Sequence, residues 1–413
     1  MTTGLLTAVD LTDPATFLGG DLYAMWRRFR TESPVHWHPV DGPVPGFWVL
    51  SRYADVMAVY RDNERFTSEK GNVLATLLAG GDSAGGKMLA VTDGRRHREI
   101  RNLLLKPFAP RALAGVVAGV RRRTDRLVAE AVERGTVDFA RDVAEQIPMA
   151  TIADLLGVPP DDRPYLLTLT KQALSSEEAG QTAEDSRLAR NELLLYFADL
   201  AEERRARPTD DVISVLATSA IDGTPLSDEE IVFNCYSLII GGDETSRLSI
   251  ICGLLALIEH PDQWRALRRG DVPVDSAVEE VLRWVTPGMH FGRRAVTDVV
   301  VGDAVIRAGE VVTLWNSSAN FDEAVFAEPD RFNLGRVPNK HVSFGYGPHF
   351  CPGAYLGRAE IHAVLTALST AVADAVISGP VLPIHSNFLH GVSSLPVTLR
   401  PDRDGLARLR SAH

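Results

Sequence analysis

Phe344–Ile361, FGYGPHFCPGAYLGRAEI, is the stretch around which the remaining sequence takes its meaning. It sets one cysteine, Cys351, in a loop dense in glycine and proline, directly before a helical pattern that starts at Ala354. Gly345, Gly347 and Gly353 suit a backbone that turns tightly and comes close to something flat or bulky. A cysteine at a helix N-terminus meets unsatisfied N–H groups and the positive end of the dipole, both of which favour the thiolate. Such a thiolate is a nucleophile or a metal ligand, and the loop alone leaves both open.

Composition narrows the setting. The 413 residues are 45% hydrophobic and 23% charged, ample for a large core. A net charge of −11 argues against a nucleic-acid partner. Three cysteines make no disulfide framework, and Cys235 and Cys252 lie in apolar helical patterns as core thiols. The sequence contains no apolar run of bilayer length, and its first residues lack the basic-then-apolar layout of a secretion signal. The expectation is a soluble, cytoplasmic protein with no membrane partner.

Outward from the cysteine loop, most of the chain carries helical periodicity. A helix over Leu22 to Arg30 precedes a strand pair, VHWHPV and FWVLSR, around the turn DGPVPG. Residues 53–65 read as helix, and a long glycine-interrupted segment without a steady period then runs to Asp93. Asp93 fits an N-cap, and His97 and Arg101 fall four apart on one face of the following helix. From Pro110 to about Ala206 the pattern is helical, with breaks at VPPDD and SSEEAG, and Thr209 to Ala217 continues it.

Ser227 to His260 is the longest helical candidate, opened by a capping box of Ser227 and Glu230. At its middle stands IIGGDETSR. Two buried helical glycines cost roughly 1 kcal/mol each against alanine, so Gly241 and Gly242 mark a close crossing or a local opening. A crossing alone leaves Asp243, Glu244 and Thr245 unexplained in an otherwise apolar helix. Residues 276–286 form another amphipathic helix, with Glu280 and Arg283 spaced to pair. From Met289 the chain turns β-rich, and residues 380–400 read as a closing hairpin. The expected fold class is mainly α (α+β), with smaller segregated sheets, as one domain over residues 1–413.

Three chemistries compete for Cys351. A cysteine hydrolase would use His349 as its base, but needs neither a glycine-broken acidic helix nor several arginines at one site. Zinc lacks a second cysteine near in sequence. An axial thiolate on haem iron needs one cysteine, an apolar cavity, and donors for two porphyrin carboxylates. His97, Arg101, Arg293 and His349 are candidates for those donors.

FGYGPHFCPG resembles the haem-binding signature of the cytochromes P-450. GGDET is similar to that family's oxygen-activating segment, and Glu280-Val-Leu-Arg283 to its structural Glu-x-x-Arg helix. ANFD followed by EPDRFNLGR resembles the lead-in to its cysteine loop, and DGRRHREIR the helix that meets haem propionates in bacterial members. These motifs fall in the family's order over nearly the whole chain. The resemblance implies a monooxygenase with haem b, Cys351 as the iron ligand, and His97, Arg101, Arg293 and His349 on the propionates. Glu244 and Thr245 would relay protons to dioxygen, while Glu280 and Arg283 would hold the segment from Asn333 to Arg336. It also implies electrons from a separate ferredoxin and ferredoxin reductase. The substrate would be a hydrophobic or aromatic small molecule of bacterial secondary metabolism such as antibiotic biosynthesis, free or tethered to a carrier protein. Its contacts would come from 73–88, 166–181, 238–241, 289–291 and 388–389. The alternative is a haem-thiolate sensor or carrier without turnover. Three positions depart from the pattern: Pro352 in place of a commoner leucine, Phe321 in place of arginine, and Gly357 in place of alanine. Pro352 removes an N–H that could bond the thiolate.

Overall fold

The computed structural model describes residues 9–42, 44–174 and 182–411. A central helix, Asp228–Glu259, runs through it for 32 residues, about 48 Å at 1.5 Å per residue. The capping box forms as expected: Ser227 Oγ accepts from the Glu230 N–H at 3.2 Å, and the Glu230 carboxylate accepts from the Ser227 N–H at 2.9 Å. This helix is apolar nearly all round because it is wrapped on all sides. Its first half, through Ile231, Cys235, Leu238 and Ile239, closes a core shared with helices Gln146–Leu156, Arg163–Leu174 and Ala183–Ala206. Its second half, through Ile250, Ile251, Leu254 and Leu257, closes another with helices Ala114–Arg134, Val274–Val285 and Ala354–Ala371. The polar run Asp243–Thr245 therefore sits at the junction between two cores.

The sheets stand apart from these helices, as the α+β expectation requires. In the five-stranded sheet, Val35–Pro39 pairs antiparallel with Gly46–Leu50, with Trp37 opposite Trp48. Val311–Trp315 runs parallel to the second of these and antiparallel to His290–Ala295. Phe66–Thr67 forms the far edge by pairing with Ala295 and Arg294. That pairing ends the preceding helix at Arg61, four residues short of the helix expected over 53–65. The segment 380–400 is only in part a hairpin. Leu382–Pro383 pairs with Val392–Ser394, but Pro396–Pro401 leaves to join Val372–Ile377 and Thr136–Asp138. A closing helix, Arg403–Ser411, was not foreseen. The glycine-interrupted segment holds a short helix, Leu74–Leu78, and a 3-10 turn, Leu89–Val91. The break expected at SSEEAG falls on 175–180, outside the described residues. Among the described residues no helix is long and apolar enough to cross a membrane.

One carboxylate ties the helical core to the lead-in of the cysteine loop. Glu280 and Arg283, both fully buried, meet in a two-pronged pair at 2.8 Å for each bond. Glu280 also accepts from Arg336 Nε at 3.0 Å, Asn339 Nδ2 at 3.0 Å and the Asn333 N–H at 2.9 Å. Arg283 Nη1 donates to the carbonyls of Asn320 and Pro329 at 3.0 and 2.9 Å. Its guanidinium lies 5.0 Å from the centroid of Phe321, so the aromatic residue at that unusual position stacks on this cation. Removing one partner of so buried a pair strands the other charge. We expect Glu280→Ala to lower the unfolding free energy by roughly 3–5 kcal/mol, read by urea denaturation.

Candidate functional site

The cysteine loop is shaped by what it packs on. Gly345 and Gly347 have φ of 66° and 73°, left-handed values that disfavour a side chain. A Cβ on Gly347 would strike the Tyr60 carbonyl, and one on Gly345 would lie 3.7 Å from the Tyr60 ring. Tyr60 is buried, with its hydroxyl donating to Asn316 Oδ1 at 2.9 Å. The Cys351 N–H then closes the loop on the Phe344 carbonyl at 3.0 Å. Gly353 differs from the other two, since its φ of −83° is ordinary and a Cβ there would make only ordinary contact with the Cys351 sulfur and the Phe108 ring. It contributes its N–H, which bonds the Cys351 sulfur. Pro352 has no N–H to offer the sulfur, so the amide that does so comes from the next residue. The helix N-terminus does not by itself deliver a thiolate. Burial pushes the Cys351 thiol up, against the Gly353 N–H, Arg101 and Arg358, so a cation at the sulfur is what would complete its ionisation.

Two arginines and two histidines converge beside this loop. His97, buried on helix Gly94–Leu105, has its ring 4.3 Å from that of His349. Burial, with His349 and Arg101 nearby, lowers His97 to about 4. Its Nε2 has no hydrogen-bond partner among the described residues. His349 Nε2 meets Asp93 Oδ1 at 2.8 Å. Asp93 stands at the N-cap position but does not cap; its other oxygen accepts from Thr67 Oγ1 at 2.7 Å and the Ser68 N–H at 2.6 Å. Arg101 Nη2 donates to the Phe350 carbonyl at 2.7 Å. Arg293 is buried, donates to the Gly292 carbonyl at 2.7 Å, and lies 5.7 Å from the Tyr60 ring. Two arginines, one of them buried, with an orphaned imidazole nitrogen fit an anionic group with several acceptor oxygens. A haem, with two propionates and an iron for Cys351, matches that donor set.

The opposite wall is the polar turn of the central helix. Its two glycines do different things. A Cβ on Gly242 would lie 2.9 Å from Ile152 Cγ1, so this residue permits a helix crossing. Gly241 has nothing within 4 Å and faces open space. The helix stays continuous through both. Thr245, half-buried, donates from Oγ1 to the Gly241 carbonyl at 3.0 Å. Glu244 turns away onto Arg247 Nη2, at 2.9 and 2.8 Å. Arg247 reaches Glu145 at 3.5 Å, and Glu145 holds Lys171 at 2.6 Å. Asp243 accepts from Thr170 Oγ1 at 3.0 Å, and burial beside Glu244 pushes it up, toward the protonated form. The structure therefore places Glu244 and Thr245 on one turn but aims their polar atoms differently.

Several residues expected to face the substrate are core instead. Leu238, Met289 and Leu389 are buried in three separate clusters. Phe291 and Phe388 are only half-buried, and their rings meet edge to face at 5.8 Å between centroids. Of the expected stretch 166–181, residues 175–181 lie outside the described residues. Asp93, Tyr60 and Arg247 were missed as parts of the site. Only Arg247, three residues after Glu244, carried a signal in its spacing.

A profile of the Cytochrome P-450 family matches residues 273–368. Cytochrome P-450 NovI of Streptomyces niveus is 50% identical over 394 residues, which cover 95% of this chain and 97% of that protein. A steroid C26-monooxygenase of Mycolicibacterium smegmatis is 34% identical over 373 residues, covering 88% of this chain and 87% of that one. Among solved structures, OxyD, a P-450 involved in the biosynthesis of vancomycin-type antibiotics, superimposes with a TM-score of 0.86 at 32% identity, covering 95% of this chain and all of the other.

Burial alone would raise Asp93, but bonds from His349, Thr67 and Ser68 hold it at about 2. A folded value below the unfolded one, about 4, stabilises the fold above pH 4, and that stabilisation is lost as pH falls toward 2. We expect Asp93→Asn to flatten this acid limb, with roughly 1–3 kcal/mol less stability at pH 7, measured by thermal unfolding from pH 2.5 to 7.

Proposed function

This chain belongs to the cytochrome P-450 family of haem-iron monooxygenases, and from that premise we propose that it oxidises a largely apolar, ring-bearing small molecule of bacterial secondary metabolism. The observation that carries the site assignment is the convergence of His97, Arg101, Arg293 and His349 beside Cys351. In this reading the cofactor would be haem b, and Cys351 Sγ would hold its iron. Arg101, Arg293 and the free Nε2 of His97 bind its propionates, with His349 held for the same task by Asp93. The bound haem supplies dioxygen activation, driven by electron donation from the thiolate.

The chain's own residues handle protons, water and orientation. The Gly353 N–H holds charge on the sulfur. Thr245 Oγ1, facing the open side of the helix, would pass on a proton there. Glu244 would release Arg247, take up a proton from water and hand it to Thr245, by rotation or through water. The edge-to-face pair Phe291 and Phe388 offers an aromatic wall on which a substrate ring is oriented.

The class of substrate is supported by two neighbours: OxyD, which is involved in antibiotic biosynthesis, and the steroid C26-monooxygenases, whose substrates are apolar. Delivery free or on a carrier protein is separated by which form shifts the haem to high spin. Electrons would come from a ferredoxin and its reductase in the cytoplasm, the arrangement general among bacterial members of the family. A surface hollow of about 470 Å³ beside the cysteine helix, lined by Arg121, Arg122, Val117 and Tyr355, suits an acidic protein of that kind.

We expect the reduced, CO-bound holoprotein to show the red-shifted Soret band of thiolate-ligated iron, and Cys351→Ala to abolish it. A missing band in the unsubstituted protein would refute the reading. With a substrate found by spin shift, Thr245→Ala should keep NADPH consumption but cut product per NADPH by roughly 10²-fold. If the unsubstituted protein binds that substrate but forms no product with NADPH and the redox partners, and Thr245→Ala binds it equally well, a haem-thiolate sensor or carrier without turnover is favoured.

A further inference from the structure

The helix that follows the cysteine carries a cation with no task in the scheme above. Arg358 forms a two-pronged pair with Glu279, Nε to Oε1 at 2.6 Å and Nη2 to Oε2 at 2.9 Å. Its guanidinium lies over the Phe344 ring, 4.6 Å from the centroid, a shorter approach than the stack of Arg283 on Phe321 at 5.0 Å. Arg358 Nη1 reaches back to the Ala354 carbonyl at 3.3 Å. Glu279 takes a further bond from His341 Nε2 at 3.1 Å. Burial would raise Glu279, but His341 and Arg358 hold it at about 2, so the pair is ionic at neutral pH.

Phe344 is the residue whose carbonyl receives the Cys351 N–H. A continuous path of contacts thus runs from helix Val274–Val285 through Glu279, Arg358 and Phe344 to the cysteine backbone. Glu279 and Glu280 are neighbours on that helix and diverge by about 100°. Glu280 grips the lead-in at Asn333, Arg336 and Asn339, whereas Glu279 grips Arg358 on the helix after the cysteine and His341 just before the loop.

Resting on the haem-thiolate reading, we propose that Glu279 and Arg358 are positioning residues that clamp Phe344, and through its carbonyl the amide of Cys351, so that the sulfur stays an anionic ligand when the iron is reduced. The planar fork is essential to this role. It binds both carboxylate oxygens and stacks on a ring at once, which an ammonium cannot do. Neither residue touches the reacting atoms.

The test uses reduced, CO-bound holoprotein and follows the decay of its thiolate-type Soret band, with the midpoint potential as a second readout. Arg358→Lys, Arg358→Met and Phe344→Leu should each lose the band several-fold faster than the unsubstituted protein. Phe344→Leu does so with the Glu279–Arg358 pair intact, and a melting curve confirms that each variant is folded. Loss of band stability in Arg358→Lys, which keeps the charge, supports positioning over simple electrostatics. If Arg358→Lys and Phe344→Leu decay at the unsubstituted rate, the clamp is overturned while the haem-thiolate reading stands. If the unsubstituted protein shows no such band, both fall together.

Discussion

A buried guanidinium and a buried imidazole around one cysteine loop are the constraint that this architecture answers to. His97, Arg101, Arg293 and His349 surround the cysteine loop, and Asp93 is the carboxylate bonded within that group. Desolvating a guanidinium such as Arg293, with a carbonyl and an aromatic face as partners, costs several kcal/mol unless an anion answers it. The fold carries that cost because two large cores and a carboxylate-centred lattice hold the loop and its surroundings in place. An anionic cofactor would relieve it, so that binding it would also stabilise the fold. Burial disfavours the Cys351 thiolate, and the nearby cations lean the other way.

The lattice is economical in its parts. Helix Val274–Val285 buries Ala277, Val278, Val281, Leu282 and Val285 in the second core and turns two consecutive acids outward from it. Because neighbouring helical positions point in different directions, one acid reaches the lead-in to the loop and the other reaches Arg358 and His341. The loop itself needs left-handed glycines where it meets Tyr60, and only an amide where it meets the sulfur. Tyr60 links these layers, since it supports Gly345 and Gly347, stacks with Arg293 and donates to Asn316.

Long periodic stretches were legible in the sequence for a plain reason: a helix of 32 residues with a capping box at its start leaves many independent marks. The strand pair around 41–46 was legible through its turn. Elements whose partners lie far away in sequence were not. Thr136–Asp138 is a strand because Pro396–Pro401 crosses beside it, and Phe66–Thr67 because Ala295 does. The site followed the same division. Cys351, Glu280 and Arg283 announced themselves by local spacing. Asp93 reads locally as a helix cap, and only the approach of a loop more than 250 residues away turns its oxygen toward His349.

The central helix makes the same point about chemistry. Adjacent helical side chains diverge by about 100°, so an acid followed by a hydroxyl cannot both face one cavity. Thr245 takes the open side above Gly241, and Glu244 is directed to the buried side, where Arg247, Glu145 and Lys171 extend its charge toward the helix Arg163–Leu174. Asp243 bonds the same helix through Thr170. The acid that would resupply protons is thereby tied to the element lying against the outer side of the turn. The polar turn lies at the junction of two cores instead of inside either one, which is why a chain of charged side chains can be buried beside it.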